Sequence, residues 1–306
     1  MKEENARIGF VFAVKTFLKF LLCVLTYTIV LFLASALLPY SQEFLEFSEQ
    51  LGLSTMAFML VPIFWNCFTA YFIVKHANFC GRKLFAHALY VMFFVIFFIT
   101  YVFALYSVQA FYFMTWLDMI LPMFSGLFAL LAMIPLMIKL FKNEITKTSV
   151  VEHKKLIVKD TLKMLGLCAL VYLGAYAIFM FGIQWQFVEF RAFYADTTWA
   201  QTLRGENFAG IVPYILFQLI RGVLNGFFIL PMLFIITKSK FVFITAICLI
   251  YLAPGINHLL PNPMIPDIVR YLHLVGMTGS MLLFGIVAGN ILWGRMCKAS
   301  FFPKKK

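Results

Sequence analysis

Acidic side chains are scarce in this 306-residue sequence: 13 Asp and Glu stand against 25 Lys and Arg. The long apolar runs hold no glutamate and a single aspartate, Asp118. A carrier that relays protons through carboxylates at the membrane midplane is therefore excluded. Cysteine is sparse too. Cys23, Cys67, Cys80, Cys168, Cys248 and Cys297 lie within apolar runs or beside basic segments, so no disulfide framework is expected. No Asn-x-Ser/Thr acceptor occurs anywhere, which fits a bacterial inner membrane. Phosphate-binding loops, dinucleotide fingerprints, nucleophile elbows, His-Glu-x-x-His and Cys-x-x-Cys pairs are absent, and neither a cofactor nor a metal is expected. Charged residues make up 12% of the chain, far below an ordinary soluble domain.

What is present is apolar surface: 63% hydrophobic residues and a mean hydropathy of +0.93. It is repeated in runs of the length that crosses ~30 Å of hydrocarbon at a rise of ~1.5 Å per residue. Eight spans are predicted, at 16–38, 55–75, 84–107, 116–141, 162–183, 209–236, 241–260 and 271–294. The expected fold is an all-α polytopic bundle forming one integral membrane domain over residues 1–306. The first run is too long for a signal peptide and lacks a small-residue cleavage site, so it is expected to stay. With both termini in the cytoplasm, 21 of the 25 basic residues fall on the inner side. Only Arg191, Arg204 and Arg270 fall outside, and Arg221 is left inside the membrane. That asymmetry sets the orientation. It also accounts for the net charge of +12, so a nucleic-acid partner is not expected.

Between the spans, residues 41–53 alternate Glu43, Glu46 and Glu49 with Phe44, Phe47 and Leu51, the spacing of a short surface helix. The outer loop 184–208 is rich in aromatic residues, as befits an interfacial anchor or a lid. The basic inner loop 142–163 interleaves Val150, Val151, Leu156, Ile157 and Val158, predicting a helix drawn to anionic lipid of the inner leaflet.

The sixth span carries the exception to the charge pattern. Arg221 lies close to its centre, too deep to snorkel to either surface. At about 100° per residue, Tyr214, Gln218, Arg221 and Asn225 share one narrow stripe. Gly222 and Gly226 run beside it, and Gly285 and Gly289 form a matching strip in the eighth span. The two strips predict that spans six and eight pack closely. Asp118 is the one carboxylate available to Arg221, although it lies near the outer end of its own span. Three roles stay open for Arg221: holding helices together through neutral groups, binding an anionic substrate or lipid phosphate in an aqueous cavity, or catalysis.

A second polar group gathers at the outer face. Asn257, His258, Asn262, Asp267, Arg270 and His273 flank a proline-rich turn, the last three acid-base residues at i, i+3 spacing. Capping and loop anchoring explain it without a metal.

Two resemblances follow from these residues. Arg221-Gly222 with His258-Leu-Leu-Pro-Asn262 resembles fragments of the CAAX-protease and bacteriocin-processing family, whose pattern is Glu-Glu-x-x-x-Arg-Gly followed later by His-x-x-x-Asn. Leu216 and Phe217 stand where that family has the glutamates that activate water. Residues 213–295, with Leu260-Pro-Asn-Pro-x-x-Pro266-x-x-Val269-Arg270-x-x-His273 and Phe284-Gly285, resemble an uncharacterised group of bacterial multi-pass membrane proteins, which implies no activity. The expectation is a transporter-like or ligand-binding protein in a cytoplasmic membrane. Its candidate ligand residues are Arg221, Gln218, Asn225, Tyr214, Asp118, His258 and His273, for an anionic or lipid-like ligand. The alternatives are an outer-face enzyme acting on lipid or peptide, and an accessory subunit using its glycine strips to bind another helix or a second copy.

Overall fold

The computed structural model describes residues 2–50, 52–104, 115–142, 158–194, 208–236, 239–260 and 265–298. Among these the chain is helical and contains no strand. The helices are α1 (Lys2–Leu37), α2 (Gln42–Gln50), α3 (Gly52–His76), α4 (Gly81–Met92), α5 (Ile99–Ala104), α6 (Trp116–Phe141) and α7 (Val158–Gly182). They continue with α8 (Val188–Tyr194), α9 (Phe208–Ile229), α10 (Met232–Ile235), α11 (Lys240–Ile256) and α12 (Asp267–Lys298).

Among the described residues, eight helical stretches are long and apolar enough to cross a membrane: Phe10–Leu37, Ala57–His76, Gly81–Val102, Trp116–Phe141, Val158–Gln186, Ile215–Ile235, Lys240–Leu259 and Asp267–Gly294. These agree with the expected spans to within a few residues at most ends, and the fourth coincides. The first outer loop forms the expected surface helix, α2. Of the basic inner loop 142–163, residues 143–157 lie outside those described, and residues 158–163 form the start of α7.

The helices sort into two packed groups. In one, α1 lies chiefly against α6, with α3 touching both; in the other, α7 lies against α9 and α12, and α12 against α11. Spans two and three join them: α3 lies against α11, and span three, which winds as a π-helix over Phe93–Phe98 between α4 and α5, touches α6, α9 and α11. An extra residue in each turn alters the phase of an aromatic run, which is why such segments mark special positions in a helix. Phe94 stacks on Phe228 of α9 at 4.6 Å, and Phe98 meets the same ring edge-on at 5.9 Å. Phe97 turns the other way and fills the space over Gly126 of α6, where a Cβ would stand 2.2 Å from its ring. A side-chain bond adds to the seam: Trp65 Nε1 of α3 donates to the Leu249 carbonyl of α11 at 2.9 Å. Within the first group, the Asn66 amide of α3 donates to the Tyr27 hydroxyl of α1 at 3.2 Å.

The glycine strips pack differently from the expectation. A Cβ on Gly222 would lie 2.8 Å from Cα of Ala169 and Cβ of Tyr172, and one on Gly226 would lie 2.9 Å from Cβ of Cys168, all in α7. Gly285 and Gly289 instead meet Cys248, Tyr251 and Ile244 of α11. Each strip therefore closes a hairpin with its preceding span, five with six and seven with eight. Neighbours in sequence joined by one connection are the easier partners, and the sequence pattern alone does not say which small-residue strip faces which.

Charges mark the two ends. Lys19 donates to the Leu140 carbonyl at 3.3 Å and Lys142 donates to the Ala77 carbonyl, both among the terminal carbonyls of helices on the side read as cytoplasmic. This orientation predicts a labelling pattern. In a chain with Cys80 and Cys297 replaced by serine, Gln42→Cys is expected to react with a membrane-impermeant maleimide on intact cells. Arg82→Cys is expected to react only once the membrane is opened, and the reverse pattern would invert the topology.

Candidate functional site

Two polar centres stand out, one in mid-span and one at the outer end. In the first, the α9 stripe turns into the bundle: Gln218 is 2% exposed and Asn225 1%. The Asn225 side-chain amide donates to the Arg221 carbonyl of its own helix at 2.9 Å, and the Asn225 main-chain carbonyl accepts from the Tyr251 hydroxyl of α11 at 2.8 Å. Spans six and seven are thus tied here through Tyr251 and the main chain at Asn225. Gln218 differs: its Oε1 is buried without a hydrogen-bond partner among the described residues. A side-chain amide can turn to offer either its oxygen or its two N–H donors, so this group is available to a ligand of either kind. Tyr214 belongs to the same helix, but its side chain lies outside those described.

Arg221 is half-buried, at the border between that buried stripe and the lipid-facing Leu216 and Ile220. Its guanidinium carbon stands 5.7 Å from the centre of the Tyr172 ring. Tyr172 is buried, with Phe284 edge-on at 5.3 Å, and Phe284 in turn meets Tyr251 at 5.1 Å. Spans five, seven and eight thereby build an aromatic wall beside the arginine of span six. Gly222 makes this possible, because only a residue without a Cβ lets α7 come near enough for Tyr172 to reach the guanidinium. A ring face contributes about 0.5–2 kcal/mol toward holding a cation. Placing an arginine at this depth costs from ~3 to over 10 kcal/mol. The aromatic wall offsets part of that cost.

Asp118 serves elsewhere. It is fully buried, and it accepts from Ser41 N at 2.8 Å, Ser41 Oγ at 2.7 Å, Thr115 N at 3.0 Å and Thr115 Oγ1 at 2.6 Å. Its own N–H donates to Thr115 Oγ1 at 3.2 Å, completing a reciprocal cap on α6. One carboxylate thus fastens the α1–α2 corner to the start of span four. Beside this corner, burial raises the Tyr40 hydroxyl above its ordinary pKa.

At the outer end, spans seven and eight bring His258 and His273 together with ring centroids 5.2 Å apart. His258 Nε2 lies 2.9 Å from Met277 Sδ, one turn beyond His273 on α12. Arg270 donates to the carbonyls of His258 at 3.3 Å and Leu259 at 3.0 Å, and it pairs with Asp267 at 2.6 Å. Phe190 of α8 covers His273 at 5.2 Å, with Trp185 behind it at 6.1 Å. Gln184 anchors this cover to α12 through a 3.0 Å bond to the Leu272 carbonyl, in space left by Gly276. Of the residues named for an outer-face enzyme, the structure brings His258 and His273 together, while Asp118 turns to Ser41 and Thr115 and Asp267 pairs with Arg270. Met277 and Gln184 were not among the sequence candidates. The i, i+4 spacing of His273 and Met277 was the available signal for the first, and nothing local marks the second.

No family model matches the chain, nor does any curated protein or solved structure. The chain is an integral membrane protein by its eight apolar helices.

Proposed function

We propose that this protein binds, and as a transporter moves, an anionic or lipid-like ligand whose charge rests against Arg221. The observation that carries this reading is a partly buried arginine at mid-span, on the same helical stripe as Gln218, whose carbonyl oxygen is buried without a hydrogen-bond partner among the described residues. The border position suits an amphiphile: a single negative head meets the guanidinium and the Gln218 amide, while an apolar tail follows Leu216 and Ile220 toward lipid. The setting is a cytoplasmic membrane, with the basic inner surface against anionic lipid.

Dodecyl phosphate is a suitable probe. A ligand that binds only the folded state stabilises it by ~2.7 kcal/mol at 100 times its Kd. Protein in nonionic detergent is expected to melt several degrees higher with the probe than without it. Arg221→Gln is expected to lose most of that shift while keeping a monodisperse elution profile, and Arg221→Lys is expected to keep part of it. An equal shift in wild type and Arg221→Gln would remove the arginine from the binding site.

A further inference from the structure

The outer cluster brings together two imidazoles and a thioether from two spans, and we propose that His258, His273 and Met277 form a binding site for a monovalent soft metal ion, Cu(I). The donor set is the first reason. A thioether ligand favours copper in its reduced state, imidazole accepts copper as it does zinc, and hard divalent ions prefer carboxylate and water. Among the described residues no carboxylate takes part, since Asp267 pairs with Arg270 and keeps its side chain 76% exposed. Arg270 is held against the His258 and Leu259 carbonyls, and its positive charge beside three neutral donors disfavours a divalent ion more than a monovalent one.

Geometry is the second reason. A tetrahedral ion with metal–nitrogen near 2.0 Å and metal–sulfur near 2.3 Å separates its nitrogen and sulfur ligands by about 3.5 Å. His258 Nε2 and Met277 Sδ are already 2.9 Å apart, so the sulfur has only to withdraw by about half an ångström. Methionine has the rotatable bonds for that adjustment. The His273 ring lies nearly parallel to that of His258, at 19° with centroids 5.2 Å apart, and a turn about its Cβ–Cγ bond is the adjustment that a shared ion would require of it. His273 and Met277 stand one turn apart on α12 and so share a face. The surroundings support the site. Phe190 and Trp185 shield it from one side, and the Arg270 bonds fix the backbone that carries His258.

Ag(I), a redox-inert ion of the same charge and preference, is the probe. The full chain is used without a polyhistidine tag, in detergent, with its thiols blocked by N-ethylmaleimide after mild unfolding and refolding, or with its six cysteines replaced by serine. Titration calorimetry is expected to show one equivalent bound to the otherwise unaltered chain. Met277→Leu, which preserves volume, is expected to weaken binding more than tenfold, and His273→Gln by at least as much. Each variant's melting temperature without metal is to match the parent's within a few degrees, which separates a lost ligand from a lost fold. X-ray absorption of the Cu(I)-loaded chain is expected to show nitrogen and sulfur neighbours together. Absence of a stoichiometric site overturns the proposal. So does equal Ag(I) affinity in parent, Met277→Leu and His273→Gln, or Zn(II) bound with no part for Met277.

Discussion

Asp118→Ala is expected to lower the melting temperature in detergent by on the order of 10 °C, one of the two largest effects that follow from this structure. The reason is the number of groups that lose their partner at once. Ser41 and Thr115 each give Asp118 a backbone N–H and a hydroxyl, all at hydrogen-bonding distance. Loss of a helix cap alone costs about 0.5–2 kcal/mol. Leaving buried donors unsatisfied adds about 1–3 kcal/mol for each that finds no water. A sum of about 3–5 kcal/mol is therefore expected, the hydroxyls being free to turn toward other acceptors. Asp118→Asn keeps the shape and one acceptor oxygen but sets N–H donors against N–H donors, and an intermediate loss is expected. Ser41→Ala removes one donor to Asp118 and the hydroxyl that accepts from Phe44 N–H at the start of α2, and should cost about 1–2 kcal/mol. If Asp118→Ala melts within a degree or two of wild type, the corner between α1 and α2 is not held in this way.

That aspartate shows what the sequence could and could not reveal. Its rarity within the apolar runs marked it as important, and its place near the outer end of a span was legible from charge and hydropathy. Its partners were not. Thr115 lies at capping-box spacing, but Ser41 is far away in sequence and reaches Asp118 only because α1 and α6 pack side by side. The same division holds for Arg221. Helical periodicity placed Gln218, Arg221 and Asn225 on one stripe, and the structure turns Gln218 and Asn225 inward. The aromatic wall of Tyr172, Phe284 and Tyr251 could not be read beforehand, because it is assembled from three other spans whose mutual positions no local pattern encodes. Spans themselves were legible to within a few residues, since bilayer thickness and charge asymmetry act on each segment alone. Helix-to-helix pairing depends on surface shape, which is why the glycine strips were recognised and assigned to the wrong neighbours.

Gly222→Leu is expected to abolish recovery of monodisperse protein, because it opens the tightest contact between spans five and six. The obstacle to a side chain here is backbone: the nearest atoms to a new Cβ are Cα of Ala169 and Cβ of Tyr172 at 2.8 Å, with the Ala169 carbonyl oxygen at 3.1 Å. Neither α7 nor α9 can yield locally without lengthening the whole contact. Gly222→Ala is the graded version and is expected to cost about 1–3 kcal/mol, the usual range for overpacking a close-packed interior. It carries a second consequence. Pushing α7 away moves the Tyr172 ring off the Arg221 guanidinium, now 5.7 Å away, so stabilisation by dodecyl phosphate is expected to change along with the melting temperature. Gly166→Ala and Gly174→Ala provide the comparison within α7, since a Cβ at either position meets nothing within 4 Å. Those two exchanges are expected to be neutral or to stabilise the helix by about 0.5–1 kcal/mol, with the probe response unaltered. If Gly222→Ala behaves as these two do, close approach of the helices does not set the position of Tyr172, and the arginine's aromatic wall does not depend on the glycine strip.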